Sequence, residues 1–213
     1  MESRGSDTVN LTSTTRSKYL CVINIETTGL NFVHDEVLEI GLVKMDQSGV
    51  ICGRFSSLVW PGEEVFSRSE TSRALSFMKR QVSDFKYAPS PEEVANAVLA
   101  FIGDWKKTQL TSFNVQFVRG FLHRKAWGRI GKGYPWPISI IDQCSDIMGR
   151  ARSPFCPWSD HYQSYKWPRL TDAAHYFKVQ YDPRMIHSAL PDAEVAARIY
   201  QKMIERGEIE DEP

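Results

Sequence analysis

The sequence predicts an α/β fold in which a mixed sheet of five strands is flanked by helices. Residues 19–25 form a continuous apolar run rich in β-branched side chains, which is typical of a buried central strand. Two further strand candidates follow, and helical and strand patterns then alternate along the chain. Strands joined by short turns form an antiparallel meander, whereas a strand–helix–strand order adds parallel strands by crossover.

The meander is predicted between residues 19 and 59. Its first strand ends where Thr27, Thr28 and Gly29 interrupt the apolar run. Residues 37–45 and 51–59 are the second and third strands. The polar segment between them contains a glycine, which suits the positive φ of a tight turn. These three strands are therefore expected to pair in sequence order.

The crossover part begins with the clearest helix signal of the chain. Ser90, Pro91 and Glu93 supply an N-cap, a first-turn proline and a capping-box glutamate. Apolar residues then recur at helical spacing through Trp105. Residues 110–113 are predicted as the short strand that follows this helix.

The remaining elements are a second helix, two loops and a final helix. The second helix is predicted over residues 115–127. Residues 128–137 and 153–168 are dense in Gly, Pro, Trp and Tyr, which indicates ordered loops packed by aromatic rings. The last helix is predicted over Ala189–Glu205, where alanines and larger apolar residues form one stripe and Gly207 suits the C-terminal stop.

Composition favours one domain, which we place at residues 18–206. The chain has 213 residues and 42% hydrophobic content, enough for one sizeable core. Residues 1–17 are polar and aperiodic, so we expect a disordered tail. Residues 207–213 are expected to form a solvated acidic tail.

Charge and cysteine content bound the function classes. The 26 basic and 26 acidic residues cancel, which argues against a protein that coats duplex DNA by bulk charge. Seven basic residues and no acidic ones lie between Trp105 and Ile141, so this segment is either a solvated surface or a rim that faces phosphates. The four cysteines show no CxxC spacing, and no leader or membrane-spanning run is recognisable. We therefore expect an intracellular protein of the cytoplasm, nucleoid or nucleus, with no membrane partner.

Three separated segments carry the chemistry. Residues 24–30 (NIETTGL) end the first strand, residues 113–122 (FNVQFVRGFL) cross from strand to helix, and residues 187–193 (HSALPDA) open the last helix. In this order they resemble the three motifs of the DEDDh-type 3'-5' exonucleases, which include the proofreading subunits of bacterial replicative polymerases. Residues 35–41 and 167–174 look like the family's second strand and the helix before its third motif.

The resemblance implies an RNase H-like fold and a site that hydrolyses phosphodiesters with two divalent cations, magnesium or manganese. In-line hydrolysis needs charge neutralised at both the attacking and the leaving oxygen, which two ions about 4 Å apart supply. In the family, four carboxylates hold the ions and the third-motif histidine acts as general base. Glu26, His187 and Asp192 match these catalytic positions, and Glu26 and Asp192 are the matching metal ligands.

Five further residues are candidate substrate contacts. Thr27, Thr28 and Leu30 match positions that in the family touch the terminal nucleotide. Asn114 either contacts substrate or caps the helix that follows it. Phe117 either stacks on a base or packs in the core.

The chain departs from the family pattern at two metal positions. Asn24 stands where the first aspartate is expected, and Val118 stands at the acidic position of the second motif. Asparagine offers one neutral oxygen and valine offers no ligand. We do not expect neighbouring residues to replace the missing ligands. Gln116 is neutral, and Asp35 and Glu36 fall in the loop before the second strand. A tight two-metal centre is therefore not expected.

Three functions stay open at this point. The first is an inactive or strongly impaired exonuclease-like domain that still binds single-stranded or 3'-terminal nucleic acid. The second is a weak metal-dependent 3'-5' exonuclease acting on single-stranded DNA or RNA, with one ion held by Asn24, Glu26 and Asp192 and His187 as base. The third is a protein-interaction subunit of a polymerase or another nucleic-acid-processing complex.

Overall fold

The computed structural model describes residues 17–209, and its main sheet has four strands. These are β1 (Tyr19–Thr27), β2 (Val37–Asp46), β3 (Ile51–Leu58) and β4 (Thr108–Thr111), in the order β3-β2-β1-β4. β1 pairs antiparallel with β2 and parallel with β4. The predicted α/β class, meander and parallel crossover strand are confirmed.

The prediction of five strands was wrong for the described residues, because the chain beside β4 does not form a regular ladder. Leu110 donates its amide hydrogen to the carbonyl of Pro135, and Ser112 makes a single parallel bridge with Ser139. Pro135 and Pro137 bring no amide hydrogen to this edge, so the pairing cannot continue as a strand. A helix begins directly afterwards, at Ile140.

Eight α-helices surround the sheet in the described part of the chain. They are α1 (Glu63–Phe66), α2 (Ser69–Met78), α3 (Pro91–Ile102), α4 (Val115–Leu122), α5 (Gly128–Gly133), α6 (Ile140–Arg150), α7 (Leu170–Phe177) and α8 (Ala189–Glu205). Two 3₁₀ turns span Val82–Phe85 and Lys125–Trp127, and a hairpin joins β5 (Trp158–Ser159) to β6 (Ser164–Tyr165). None of these helices is long and apolar enough to cross a membrane.

Several element bounds differ from the prediction. The helix expected over residues 115–127 ends at Leu122 and is followed by the second 3₁₀ turn. Residues 128–137, expected to be a loop, contain α5, and residues 153–168 contain the short hairpin. The capping box at Ser90 and the bounds of α8 are confirmed. The predicted disordered and acidic tails lie largely outside the described residues.

β1 is buried on both faces, which explains its continuous apolar run. Cys21, Ile23 and Ile25 pack into an apolar cluster with α3 and α4. Val22 points the opposite way and packs into a second cluster with α7 and α8. Because side chains alternate along a strand, Asn24 and Glu26 share the face of Val22 and lie on the α8 side of the sheet.

Candidate functional site

The first turn of α8 lies directly against β2 because Gly41 has no side chain. A Cβ at this position would stand 2.2 Å from the amide nitrogen of Leu190. Gly41 is also the register partner of Asn24 on β1. This close approach therefore brings the start of α8 to the C-terminal half of β1, where the first motif ends.

The first and third motifs meet around a group of buried carboxyls. Asn24 donates a long hydrogen bond of 3.4 Å from its Nδ2 to Oε1 of Glu26. Glu26 stands opposite Glu39 in the β1–β2 register, where facing Cβ atoms are about 5 Å apart. Asp192 lies in the first turn of α8 and is only 8% exposed. The structure thus brings Asn24, Glu26 and Asp192 into one region.

Glu39 is a site residue that the motif comparison did not single out. It is buried, and its Oε1 accepts a hydrogen bond of 3.2 Å from the amide of Ala189, the first residue of α8. Its Oε2 pairs with Nη2 of Arg80 at 3.5 Å. Glu39 therefore fixes the start of α8 to β2. A charged residue inside the otherwise apolar stretch 37–43 was the signal that could have identified it.

His187 is held at the edge of this group by its backbone. Its amide donates to Oδ2 of Asp192 at 3.3 Å, while Oδ1 of Asp192 is buried without a hydrogen-bond partner among the described residues. The imidazole is exposed, with its edge toward the ring of Phe77 at a centroid distance of 6.3 Å. His187 has a φ of 71°, a left-handed conformation that costs about 1 kcal/mol.

Burial, together with mutual repulsion, raises the pKa values of these carboxyls above their usual range. The pKa of Glu26 is raised to about 8, first by burial and then by the negative charges of Asp192 and Glu39. Burial raises the pKa of Asp192 to about 7, against the lowering effect of the His187 amide. The pKa of Glu39 is also raised by burial, although Arg80 opposes the shift. The group therefore resists holding several negative charges at once.

The second motif contributes no anion to this group. Val118 is 1% exposed and packs in the apolar cluster of α3 and α4. Asn114 caps α4, with its Oδ1 accepting from the amide of Phe117 at 3.1 Å. Of the two roles left open for Asn114, the structure shows the helix cap.

The neighbours that we did not expect to act as replacement ligands have other contacts. Gln116 is exposed on α4. Asp35 accepts hydrogen bonds from Thr28 Oγ1 and from the amide of Asn31, which closes the loop after β1. Glu36 pairs with Lys125 at 2.5 Å.

The available donors do not fit a pair of divalent ions. Within residues 17–209, no group of three or more His, Cys, Asp or Glu side chains is arranged to hold a metal ion. The exonuclease family generally uses divalent metals, and magnesium requires a near-octahedral set of oxygen ligands. Asp192 Oδ1 is an oxygen with no hydrogen-bond partner among the described residues and so is available as a ligand atom, whereas Val118 offers no ligand atom.

A cleft of about 680 Å³ opens beside the buried carboxyls and is lined in part by Glu26. Four of the five predicted substrate contacts line it, and Asn114 does not: the four are Thr27, Thr28, Leu30 and Phe117. Thr28 is buried and Thr27 donates to the carbonyl of Gly29, so both hydroxyls are used within the loop. Leu30, in contrast, is 85% exposed.

The opposite wall of the cleft comes from α2, a helix that the sequence pattern did not predict. It contributes Glu70, Arg73, Ala74 and Met78, together with Phe77, which is 65% exposed. Leu30 and Phe77, both exposed in the lining of the cleft, offer two apolar surfaces for a flat ring. The cleft can therefore hold an unpaired base beside the carboxyl group.

Comparison with known proteins gives one family and a set of polymerase relatives. A family model described as an exonuclease matches residues 21–200. The chain is 28% identical over 184 residues to the PolC-type DNA polymerase III of Thermotoga maritima, covering 86% of this chain and 12% of that protein. It is 29% identical over 185 residues to the same polymerase type from Caldanaerobacter subterraneus, covering 87% of this chain and 11% of that protein. The chain thus spans about an eighth of the length of these relatives.

Solved structures share the fold at low sequence identity. Exonuclease I of Methylocaldum szegediense aligns with a TM-score of 0.68 and 16% identity, covering 88% of this chain and 40% of that one. A full-length 3'-exonuclease aligns with a TM-score of 0.63 and 21% identity, covering 90% of this chain and 83% of that one. A 3'-exonuclease solved for its recognition of a histone mRNA stem-loop aligns with a TM-score of 0.65 and 20% identity, covering 90% of this chain and 65% of that one.

Proposed function

Because the chain belongs to the exonuclease family whose model matches residues 21–200, we propose that it binds single-stranded or 3'-terminal nucleic acid and hydrolyses it poorly or not at all. The activity of the family is 3'-5' phosphodiester hydrolysis. The cleft beside Glu26 is the binding site in this proposal, and the impaired step is chemistry at the scissile phosphate.

The burial of Val118 in an apolar cluster carries this proposal. The family pattern has an acidic residue at this position, whereas valine supplies no anion. Asn24 removes a second charge and leaves only a neutral amide beside Glu26. Removing a side chain that only hydrogen-bonds to a metal ligand already costs about 10- to 100-fold in affinity or activity. The loss of two direct anionic ligands is expected to cost more.

The remaining residues support binding. Leu30 and Phe117 offer apolar surface for the terminal base, and Arg73, next to Glu70 on α2, places a cation there for a phosphate. Glu26 and Asp192 would be metal ligands only weakly, if an ion binds, and His187 stays positioned beside Asp192. Retained binding walls next to a weakened catalytic group favour a domain that holds a strand end without cutting it.

Binding is tested by fluorescence anisotropy with a labelled single-stranded oligonucleotide in the absence of divalent ions. We expect micromolar binding that weakens with salt, because phosphate contacts release counterions. Phe117→Ala should weaken binding by about 1 to 3 kcal/mol if a base stacks there. Tyr162→Ala, which removes an exposed ring from the hairpin region, is the matched control. No salt-dependent binding by the unaltered chain would contradict the proposal.

The catalytic defect is tested by restoration. Asn24→Asp with Val118→Asp should recover magnesium-dependent 3'-5' degradation, since it restores the acidic residues of the family pattern at both positions. Asn24→Asp with Val118→Asn is the control, because it keeps the shape at position 118 and withholds one charge. A restored double variant that folds, is stabilised by magnesium and still cuts nothing would overturn the assignment of these positions.

A protein-interaction role has one observation in its favour. Trp158, Tyr162 and Trp167 are more than half exposed around the β5–β6 hairpin, and exposed aromatic rings are enriched at protein interfaces. A polymerase or processing complex is the partner class we propose for this surface. Loss of co-purifying protein in a Trp158→Ser, Trp167→Ser variant, with nucleic-acid binding unchanged, would support it. An intracellular location stays a prediction.

A further inference from the structure

A second groove lies on the surface formed by α3, α5 and the loop before β4. It has a volume of about 590 Å³ and is lined mainly by basic and aromatic side chains. Its lining includes Trp105, Lys125, Arg129, Lys132 and Tyr134. All five belong to the segment between Trp105 and Ile141 that contains no acidic residue. The basic segment is therefore folded into a concave surface.

Two cations of this groove have no acidic partner. Arg129 and Lys132 are exposed and stand three residues apart on α5, and neither forms an ion pair within the described residues. The nearest acidic residue of the loop, Asp104, already pairs with Lys107 at 3.9 Å. The net charge of the groove is therefore positive and is not cancelled locally.

The short helix that carries these cations is fixed to the domain. A Cβ at Gly131 would stand 2.4 Å from the carbonyl oxygen of Leu122, so α5 lies directly on the end of α4. The carbonyl oxygen of Gly131 itself contacts Nε2 of His123 at 2.8 Å. Tyr134 donates from its hydroxyl to the carbonyl of Gly103 at 2.5 Å, which joins the end of α5 to the loop after α3. The two cations thus stand on a rigid support, and binding them does not require the loop to be ordered first.

Trp105 adds a flat surface at the end of the groove near β4. It is 56% exposed, and Nζ of Lys106 lies 5.7 Å from its ring centroid. An exposed indole next to unpaired cations fits an unpaired base next to its phosphates, since every base can stack on an aromatic ring. An acidic peptide would use the cations and leave the indole without a matching group.

Lys125, which lines the groove, is linked to the cleft by two polar contacts. Its Nζ pairs with Glu36, and the carbonyl of Glu36 accepts from the amide of Thr28, which lines the cleft. These contacts place the groove and the cleft on neighbouring parts of the surface, where one strand could reach both.

We propose that this groove binds the phosphate backbone and one base of a single-stranded nucleic acid, upstream of the end that enters the cleft. The inference rests on the proposed function, because it extends the same strand onto a second surface. Arg129 and Lys132 contact phosphates, and Trp105 stacks on a base. The groove makes affinity depend on strand length.

The test compares single strands of about 4 and about 16 nucleotides by fluorescence anisotropy over a series of salt concentrations, without divalent ions. The principal variant is Arg129→Gln with Lys132→Gln. Its matched control is Arg152→Gln with Lys166→Gln, which removes two exposed cations on the α6 and hairpin side. A third variant, Trp105→Ala, removes the stacking surface. Polyglutamate serves as a competing anion without bases.

For the longer strand, the principal variant should lower the slope of log affinity against log salt by about 1.4, since each lost phosphate contact contributes about 0.7. Trp105→Ala should weaken binding of the longer strand about tenfold, equal to about 1.4 kcal/mol, with the salt slope unchanged. Neither variant should change binding of the shorter strand, and the control should change neither.

Other outcomes separate the two proposals. If the unaltered chain binds both strands and the groove variants bind them equally well, the groove inference is wrong and the proposed function stands. If the control variant loses as much affinity as the principal variant, or if polyglutamate at matched charge fully displaces the strand, the effect is one of bulk charge. Either result would also overturn the groove inference. If the unaltered chain binds neither strand, the proposed function and the groove inference fall together.

Discussion

The first and third motifs differ sharply from the second in what their side chains now do. Glu26 and Asp192 lie in a buried carboxyl group at the junction of β1 and α8, where both pKa values are raised. Val118, on α4, is packed as an ordinary apolar core residue. The side of the site formed by β1 and α8 thus holds carboxyls that are costly to bury. The side formed by α4 is part of the apolar core. This contrast supports the proposal that the domain keeps the fold of its family while catalysis is impaired.

The largest expected effect concerns the contact between Gly41 on β2 and the start of α8, which holds Asp192 beside Glu26. Gly41→Val should destabilise the domain by about 3 kcal/mol or more, because its side chain would collide with the start of α8. Urea denaturation followed by circular dichroism measures this. Gly133→Ala is the control, since a Cβ there meets nothing within 4 Å. A Gly41→Val variant as stable as the parent would show that α8 is not fixed by this contact.

A charge buried at position 118 on α4 should destabilise the domain when no cation is bound. Val118→Asp should lower the free energy of unfolding by about 3 kcal/mol at pH 8, because it buries an unpaired carboxylate. The loss should shrink at pH 4, where the carboxyl is protonated. Gln116→Asp, exposed on the same helix, should stay within about 0.5 kcal/mol of the parent. Equal stability of the two variants would place Val118 outside the core.

The buried carboxyls of Glu26 and Asp192 should make the stability of the domain fall as pH rises. Raised pKa values favour the protonated form in the folded state, so this stability is complete below pH 4 and is lost as pH passes about 7 to 8. We expect a decrease on the order of 2 kcal/mol between pH 5 and pH 9 in divalent-free buffer. Glu26→Gln with Asp192→Asn should flatten the profile. An unchanged slope in that variant would assign the effect to other groups.

The smallest expected effect is at His187. Its positive φ suits glycine, so His187→Gly should leave stability unchanged or raise it by up to about 1 kcal/mol, whereas His187→Ala should lower it slightly. Thermal melting distinguishes the two variants. If alanine proves as stable as glycine, the left-handed conformation of this residue carries no strain.

Much of the fold followed from local signals, and the site followed only in part. The apolar run of β1, the Ser90 capping box and the spacing from His187 to Asp192 each predict one element without knowledge of the others. The missing fifth strand depends on prolines that face β4, which no local pattern around β4 reveals. Glu39 was missed because its role arises from the approach of α8 to β2. This contact joins residues 150 positions apart.

The facing wall of the cleft shows the same limit. Arg73 and Phe77 lie on α2, whose buried stripe has only two apolar residues, Leu75 and Met78, which is too short a pattern to predict the helix. The basic segment after Trp105 was visible as charge, and its concave shape required the packing of α5 on α4. Long-range packing, which local patterns do not encode, therefore decides which side chains form a surface.

The most direct test of the central claim is incubation of a 5'-labelled single strand with excess protein in manganese. Glu26→Gln is run in parallel to expose any contaminating nuclease. We predict that the strand stays intact with both proteins, while anisotropy shows that both bind it. A ladder of products shortened from the 3' end by the unaltered chain, and absent with Glu26→Gln, would contradict the account and identify a working exonuclease.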